Sequence, residues 1–206
     1  MSWEKDLEEL KKRAELAKEM GGIERIAKHY ARGRLTVRER IDQLLDKDSF
    51  HETGEITGKV TYDENGEIQE FVPANFVFGR GKVDEREVVV AGDDFTVRGG
   101  AADARIGNKS LYSLKLAEHL RLPLINLVDG SGGGGSVKTL ETMGATYVPG
   151  LPSWQNIVRL LSMVPVVGAC MGSVAGLGSA RVVASHFSIM VKGSAQMFVA
   201  GPPVVE

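Results

Sequence analysis

Two glycine-rich turns, each directly after an apolar segment, are the residues of this chain best placed to do chemistry. The first follows Leu124-Ile125-Asn126-Leu127-Val128-Asp129 and runs Gly130-Ser131-Gly132-Gly133-Gly134-Gly135. The second follows Val164-Pro165-Val166-Val167-Gly168-Ala169-Cys170-Met171 and runs Gly172-Ser173-Val174-Ala175-Gly176-Leu177-Gly178. Glycine lets the backbone come close to a ligand. A helix starting after such a turn leaves N–H groups aimed at whatever sits there. Two such turns can direct backbone donors at one oxygen, as in an oxyanion hole. The competing reading is a pair of ordinary tight turns in an α/β domain. Spacing alone leaves the two readings level.

Side-chain chemistry finds less support. Ser131, Ser136, Ser173 and Ser179 lie in or near the turns, but neither turn has the Gly-x-Ser-x-Gly form of a nucleophile elbow. Of His29, His51, His119 and His186, only His186 is near a turn in sequence, and it leads into a strand. No HExxH, Cys/His cluster or EF-hand pattern occurs, so no metal site is expected. Asp93-Asp94 lacks a third ligand nearby in sequence. Gly132 to Gly135 with Ser136-Val137-Lys138-Thr139 misses the P-loop spacing, and no GxGxxG follows Val88 to Ala91. What remains is a site working through backbone donors. That suits a reaction in which charge develops on a thioester oxygen, an enolate.

The elements that must position these turns are legible in outline. Residues 4–20 read as a helix ended by Gly21-Gly22, with a sparse apolar face that packs on another element or subunit. A second helix covers about 23–30, with Ile23, Ile26, Ala27 and Tyr30 on one side. A third follows Thr36, where Glu39 completes a capping box and Val37, Ile41, Leu44 and Leu45 form the apolar face. Segments 50–60, 70–80 and 86–92 read as strands, with a surface turn at Asp63-Glu64-Asn65-Gly66. A helix over 101–120 precedes strand 123–128 and the first turn. Helix 153–163, strand 165–170, the second turn, helix 176–184 and strand 187–192 follow. A short strand is expected before Gly201. Strands and helices alternate from residue 86, which argues for a parallel or mixed sheet with helical crossovers.

Composition bounds the rest. The chain has 206 residues, 43% hydrophobic and 25% charged, with a net charge of −2. Nothing in that balance argues for nucleic acid or an anionic membrane as partner. The single cysteine, Cys170, rules out an internal disulfide and reads as a buried, inert thiol. The charged start (Glu4, Lys5, Asp6) has no signal-peptide pattern, and no uncharged stretch is long enough to span a bilayer. A cytoplasmic location is the expectation.

Several separated motifs also resemble a known family. They are Ala31-Arg32-Gly33-Arg34-Leu35-Thr36-Val37-Arg38-Glu39-Arg40-Ile41; Asp94-Phe95-Thr96-Val97 with Gly99-Gly100; Asp129 with its glycine run; Met171-Gly172-Ser173-Val174-Ala175-Gly176; and Phe198-Val199-Ala200-Gly201-Pro202 with Val204-Val205. In this order they resemble the N-terminal half of the carboxyltransferase (β) subunit of biotin-dependent acyl-CoA carboxylases, of the propionyl-CoA carboxylase type. Transcarboxylase and decarboxylase subunits are relatives. The resemblance implies an α/β crotonase-like fold, a spiral of ββα units over 49–206, with an N-terminal helical segment over 1–48. It implies an acyl-CoA cleft walled by both turns and carboxyl transfer from carboxybiotin to the α-carbon of a short acyl-CoA. Biotin would sit on a carrier domain of another chain. Partners would be a biotin carboxylase and a biotin carrier subunit, with homo-oligomers that are hexameric in the family.

In the family an Ala-Gly-Gly at the second turn helps form an oxyanion hole; carried over residue by residue it falls on Ala175, Gly176 and Leu177, with Gly176 and Leu177 as expected donors. Leucine keeps the N–H but adds a side chain. The first turn has one extra residue and no arginine, and Gly133 and Gly134 are the expected donors there. Arg98, Gly99, Gly100, Lys109 and Ala175 are the expected CoA contacts, with Lys109 also readable as a solvated helix lysine. The run Arg32, Arg34, Arg38, Arg40 reads as an ion-pair network with Glu39, Asp42 and neighbouring subunits. The abrupt end suggests that a C-terminal half completes the site. Two other readings stay open: a hydratase or hydrolase of the wider crotonase group, which would need an acid/base carboxylate near the donors, and a truncated, non-catalytic scaffold.

Overall fold

The computed structural model describes residues 3–101, 106–130, 141, 144 and 153–199. The N-terminal helices are α1 (Glu4–Lys18), α2 (Ile23–Tyr30) and α3 (Val37–Leu44). Strands β1 (His51–Glu52), β2 (Gly58–Tyr62), β3 (Ile68–Pro73), β4 (Phe76–Val83) and β5 (Arg86–Asp93) follow. A 3-10 turn at Arg98–Gly100 leads towards α4 (Lys109–Leu120) and β6 (Leu124–Val128). Then come α5 (Trp154–Leu161), β7 (Val166–Cys170), β8 (Ser173–Ala175), α6 (Leu177–Val183), β9 (Phe187–Met190) and β10 (Gln196–Phe198). Two strand expectations merge what the structure separates. The 50–60 segment holds β1 and the start of β2. The 70–80 segment breaks at Ala74-Asn75, where Ala74 N–H turns to the Thr57 carbonyl and the Asn75 side-chain amide donates to the Ala101 carbonyl.

The main sheet has the order β1-β4-β5-β6-β7-β9. Its first three strands pair antiparallel, and β5, β6, β7 and β9 run parallel. The alternation along β4 and β5 explains why the sheet is covered on both faces. Phe76, Phe78, Val89 and Ala91 point to one core, under α4 and α5, with Leu124, Leu114 and Leu160. Val77, Val88 and Val90 point to the other, with Val37, Ile41 and Leu45 of the α3 segment and Leu127 of β6. A strand buried on both faces needs such a continuous apolar run.

The helix α3 is fixed by local chemistry first. Thr36 Oγ1 accepts from Glu39 N–H, and the Glu39 carboxylate accepts from Thr36 N–H at 2.8 Å, which completes the expected capping box. Burial of Val37, Ile41 and Leu45 then contributes about 1.5–3 kcal/mol each. The expected apolar face of α2 is not the buried one. Ile23 is 88% exposed and Tyr30 47%, while His29 is buried. The reason is that α2 turns a polar contact inward: His29 bonds the Leu35 carbonyl at 3.0 Å and stacks on Phe95. Helix α1 leaves Leu7 and Leu10 exposed and reaches the β2–β3 hairpin through Tyr62 O–H, which donates to Glu9 at 2.7 Å. Cys170 is buried, and burial pushes its thiol above the ordinary value. No described helix is long and apolar enough to cross a membrane.

Candidate active site

The carboxyl ends of adjacent parallel strands set the site. Gly92 of β5 lies opposite Leu127 of β6, and Val128 opposite Cys170 of β7. The Asp94–Gly100 loop and both glycine turns therefore leave from one edge of the sheet, where open α/β sheets form ligand crevices. The three segments touch through backbone. A Cβ on Gly100 would lie 2.4 Å from the Asp129 carbonyl oxygen, and Gly100 has φ +63°. A side chain there would meet both a clash and a strained backbone. Ala175 N–H donates to the Gly130 carbonyl at 3.4 Å, which ties the second turn to the first.

Two buried ion pairs underlie these loops. Asp93 accepts Arg181 Nη1 at 2.9 and 3.0 Å, and also accepts the Asp129 N–H at 3.2 Å. The Asp129 carboxylate, 0% exposed, lies 2.7 Å from Arg40 of α3. Asp94 accepts the N–H and hydroxyl of Thr96 at 2.9 and 2.6 Å, and burial raises its carboxyl above the ordinary range. None of these carboxylates is presented to solvent. The basic run thus bonds elsewhere than expected: Arg38 pairs with Glu52 at 2.7 Å and Arg40 with Asp129. Glu39 serves its own cap and Tyr30.

His29 adjoins this network, with its Nε2 3.5 Å from Arg40 Nη2. Its bond to the Leu35 carbonyl requires Nε2 to carry the proton. Burial pushes the imidazole below its ordinary 6.5, helped by Arg40 and Arg34 and opposed by Asp129. The unfolded chain therefore binds a proton that the folded chain refuses below about pH 6.5. His29 contributes full stability above that pH and loses it as pH falls towards the folded value. An NMR titration should give His29 a midpoint below 6.5; a midpoint above it would contradict this environment.

At the second turn, Gly176 has φ +58° and ψ −120°, a conformation open to glycine and costly for other residues. Its N–H donates to the Phe198 carbonyl at 3.1 Å, extending the parallel β8–β10 pair. Gly176 was an expected donor, but its N–H is already engaged. The N–H groups of Leu177 and Gly178, which open α6, have no hydrogen bond to any described residue. Helix ends leave such groups unpaired within the helix.

Residues 28–206 match the carboxyl transferase domain family. The chain belongs to that family. It is 33% identical, over 94% of its length, to the probable biotin-dependent acyl-coenzyme A carboxylase beta2 subunit of Mycobacterium tuberculosis. It is 34% identical, over 97% of its length, to the propionyl-CoA carboxylase beta chain of Roseobacter denitrificans. The crystal structure of transcarboxylase 12S, a hexamer with methylmalonyl-coenzyme A and methylmalonic acid bound, superposes on all of this chain with a TM-score of 0.74 at 27% identity. The chain spans 35%, 38% and 39% of these three. The expected crotonase-like α/β fold is the fold of this carboxyl transferase domain.

Within the domain, the expected site residues separate into three groups. Gly100 meets Asp129 and Gly130, and Gly130 bonds Ala175, which precedes Gly176 and Leu177, while Arg98 and Gly99 line a cleft against α2. Gly133 and Gly134 lie outside the described residues. Lys109 is drawn away: its ammonium is buried, 3.3 Å from Glu52 and 5.8 Å from the Phe78 ring centre. Burial lowers its pKa, with Glu52 opposing. Lys109 also lines a cleft of about 900 Å³ with Lys115, Arg121 and Arg159. Arg181 as the partner of Asp93, and the Asp129–Arg40 pairing, were not singled out from sequence. Among the described residues, no group of three His, Cys, Asp or Glu could hold a metal ion.

Proposed function

We propose that this domain is the acyl-CoA half of a biotin-dependent carboxyltransferase, stabilising the enolate of a short acyl-CoA while a carboxyl group is transferred to its α-carbon. The observation that carries this reading is the N–H of Leu177 and Gly178, bonded to no described residue, in the second turn, which Ala175 ties to Gly130. The thioester oxygen would accept from these groups. As the α-carbon C–H bond breaks, its electron pair moves towards that oxygen, and the donors hold the developing charge without reorganising. The enolate carbon would then bond to the carboxyl carbon as that carbon's bond to the biotin ureido nitrogen breaks, and the α-proton would end on the freed ureido nitrogen. Carboxybiotin supplies that activated carboxyl group when bound. The resemblance puts its wall in a C-terminal half, and none of the residues described here is assigned to it.

The hydratase reading needs a carboxylate free to move a proton at the donors. Asp93 and Asp129 are the acids nearest the turns, and both are buried against arginines. That supports transfer over hydration. A biotin carboxylase, a biotin carrier and a homo-oligomer are the proposed partners. The sheet edge at β9 supports further covering by polypeptide, since Phe187 and Met190 there are 63% and 52% exposed.

A product assay on the whole subunit tests the proposal. With labelled carboxybiotin and a saturated short acyl-CoA, label is expected on the acyl-CoA. Water addition to an enoyl-CoA, with no label transferred, would overturn it.

A further inference from the structure

Beside the Gly99 loop lies a cleft of about 320 Å³ with an unusual charge balance. It is lined by Arg25, Lys28 and Arg32, with His29, Phe95, Thr96, Arg98 and Gly99, and, among the described residues, by no carboxylate. Arg25 and Lys28 belong to α2, and Arg32 follows its C-terminal end. The spacing of three and then four residues puts all three cations on one helical face. Arg25, Lys28 and Arg32 are exposed, and none forms an ion pair with a described residue. The burial of His29 explains the orientation. It turns the apolar-looking side of α2 outward at Ile23 and Tyr30 and brings the cationic face against the Phe95–Gly99 loop.

Holding like charges together without counter-charge is unfavourable unless an anion shares the site. Two arginines suit planar recognition of phosphate oxygens, and a lysine adds a point charge. The cleft also opens on Gly99. The next residue, Gly100, touches Asp129 and Gly130, and Gly130 bonds Ala175. The path from the cations to the Leu177 N–H therefore runs along one continuous set of loops.

We infer that Arg25, Lys28 and Arg32 form the phosphate subsite for the nucleotide end of the acyl-CoA. This inference rests on the reading above for the identity of the ligand. Coenzyme A carries a pyrophosphate and a separate 3′-phosphate, a polyanion matched to several cations. The acyl end then extends along the Gly99–Gly100 loop to the second turn.

The test uses the whole subunit, wild type and the triple variant Arg25→Gln, Lys28→Gln, Arg32→Gln. All three side chains are exposed, so the fold is expected to survive, as circular dichroism and a thermal melt can check. Two ligands are compared by calorimetry and as substrates: a short acyl-CoA, and the same acyl group on pantetheine, which lacks the nucleotide phosphates. The variant should weaken acyl-CoA binding by about ten- to a hundredfold, summing three exposed charge contacts. It should leave acyl-pantetheine binding and kcat unchanged and flatten the salt dependence of acyl-CoA binding. Unchanged acyl-CoA affinity, or equal loss for both ligands, would overturn the inference. Carboxyl transfer with KM unaltered in the variant would sink the subsite and keep the function. CoA binding that depends on the three cations, without carboxyl transfer, would keep the subsite and sink the function. A wild-type subunit that binds no CoA would sink both.

Discussion

Replacing Arg40 by methionine should destabilise the domain by about 3–5 kcal/mol, the usual consequence of removing one partner of a buried ion pair. Asp129 is completely buried, and among the described residues neither carboxylate oxygen has a hydrogen bond outside its contact with Arg40. The arginine itself is only 7% exposed. Methionine fills much of its volume, so the loss comes mainly from the stranded carboxylate. The double variant Arg40→Met, Asp129→Leu should recover most of the stability, because no charge is then left uncompensated. Urea unfolding can measure both, read as a shift in midpoint at constant slope. A single variant within about 1 kcal/mol of wild type would mean that the pair is no more than a surface-strength contact.

That pair also marks the limit of what the sequence discloses. The capping box at Thr36 and Glu39 was legible because its chemistry is complete within four residues. The apolar strands 86–92, 123–128 and 165–170 were legible because burial on both faces demands unbroken apolar runs. The partners of Asp93 and Asp129 were not. Asp93 meets Arg181 across 88 residues of chain, and only the packing of α3 and α6 on the sheet brings the arginines to the strand ends. Helix α2 was misread for a related reason. Its period is helical either way, but the choice of buried face falls to His29 through Leu35 and Phe95, not to Ile23. Lys109 shows the same limit: its pairing with Glu52, 57 residues away in the chain, is not written in the residues around it. At the second turn the sequence pointed to Ala175, Gly176 and Leu177. It could not tell that Phe198 engages Gly176 N–H, since that depends on the β8–β10 pairing.

The same detail makes Leu177 the residue on which catalysis should turn. Backbone donors resist ordinary substitution, but Leu177 is the first residue of α6. Proline is well accepted at a first helical position, where its missing N–H has no helical partner to lose. Leu177→Pro therefore removes one N–H with little demand on the helix. Loss of one oxyanion donor costs about 10²–10³ in kcat. Leu177→Ala keeps the N–H and trims only the side chain. It should retain most of kcat, with any change confined to acyl-group preference.

The measurement is kcat and KM for carboxyl transfer to a short acyl-CoA by the whole subunit, compared between Leu177→Pro and Leu177→Ala, with circular dichroism and a thermal melt on each. A fall of about a hundredfold or more in kcat for proline alone, with KM for acyl-CoA little changed, is the predicted result. Equal kcat in the two folded variants would contradict enolate stabilisation by the backbone of the second turn.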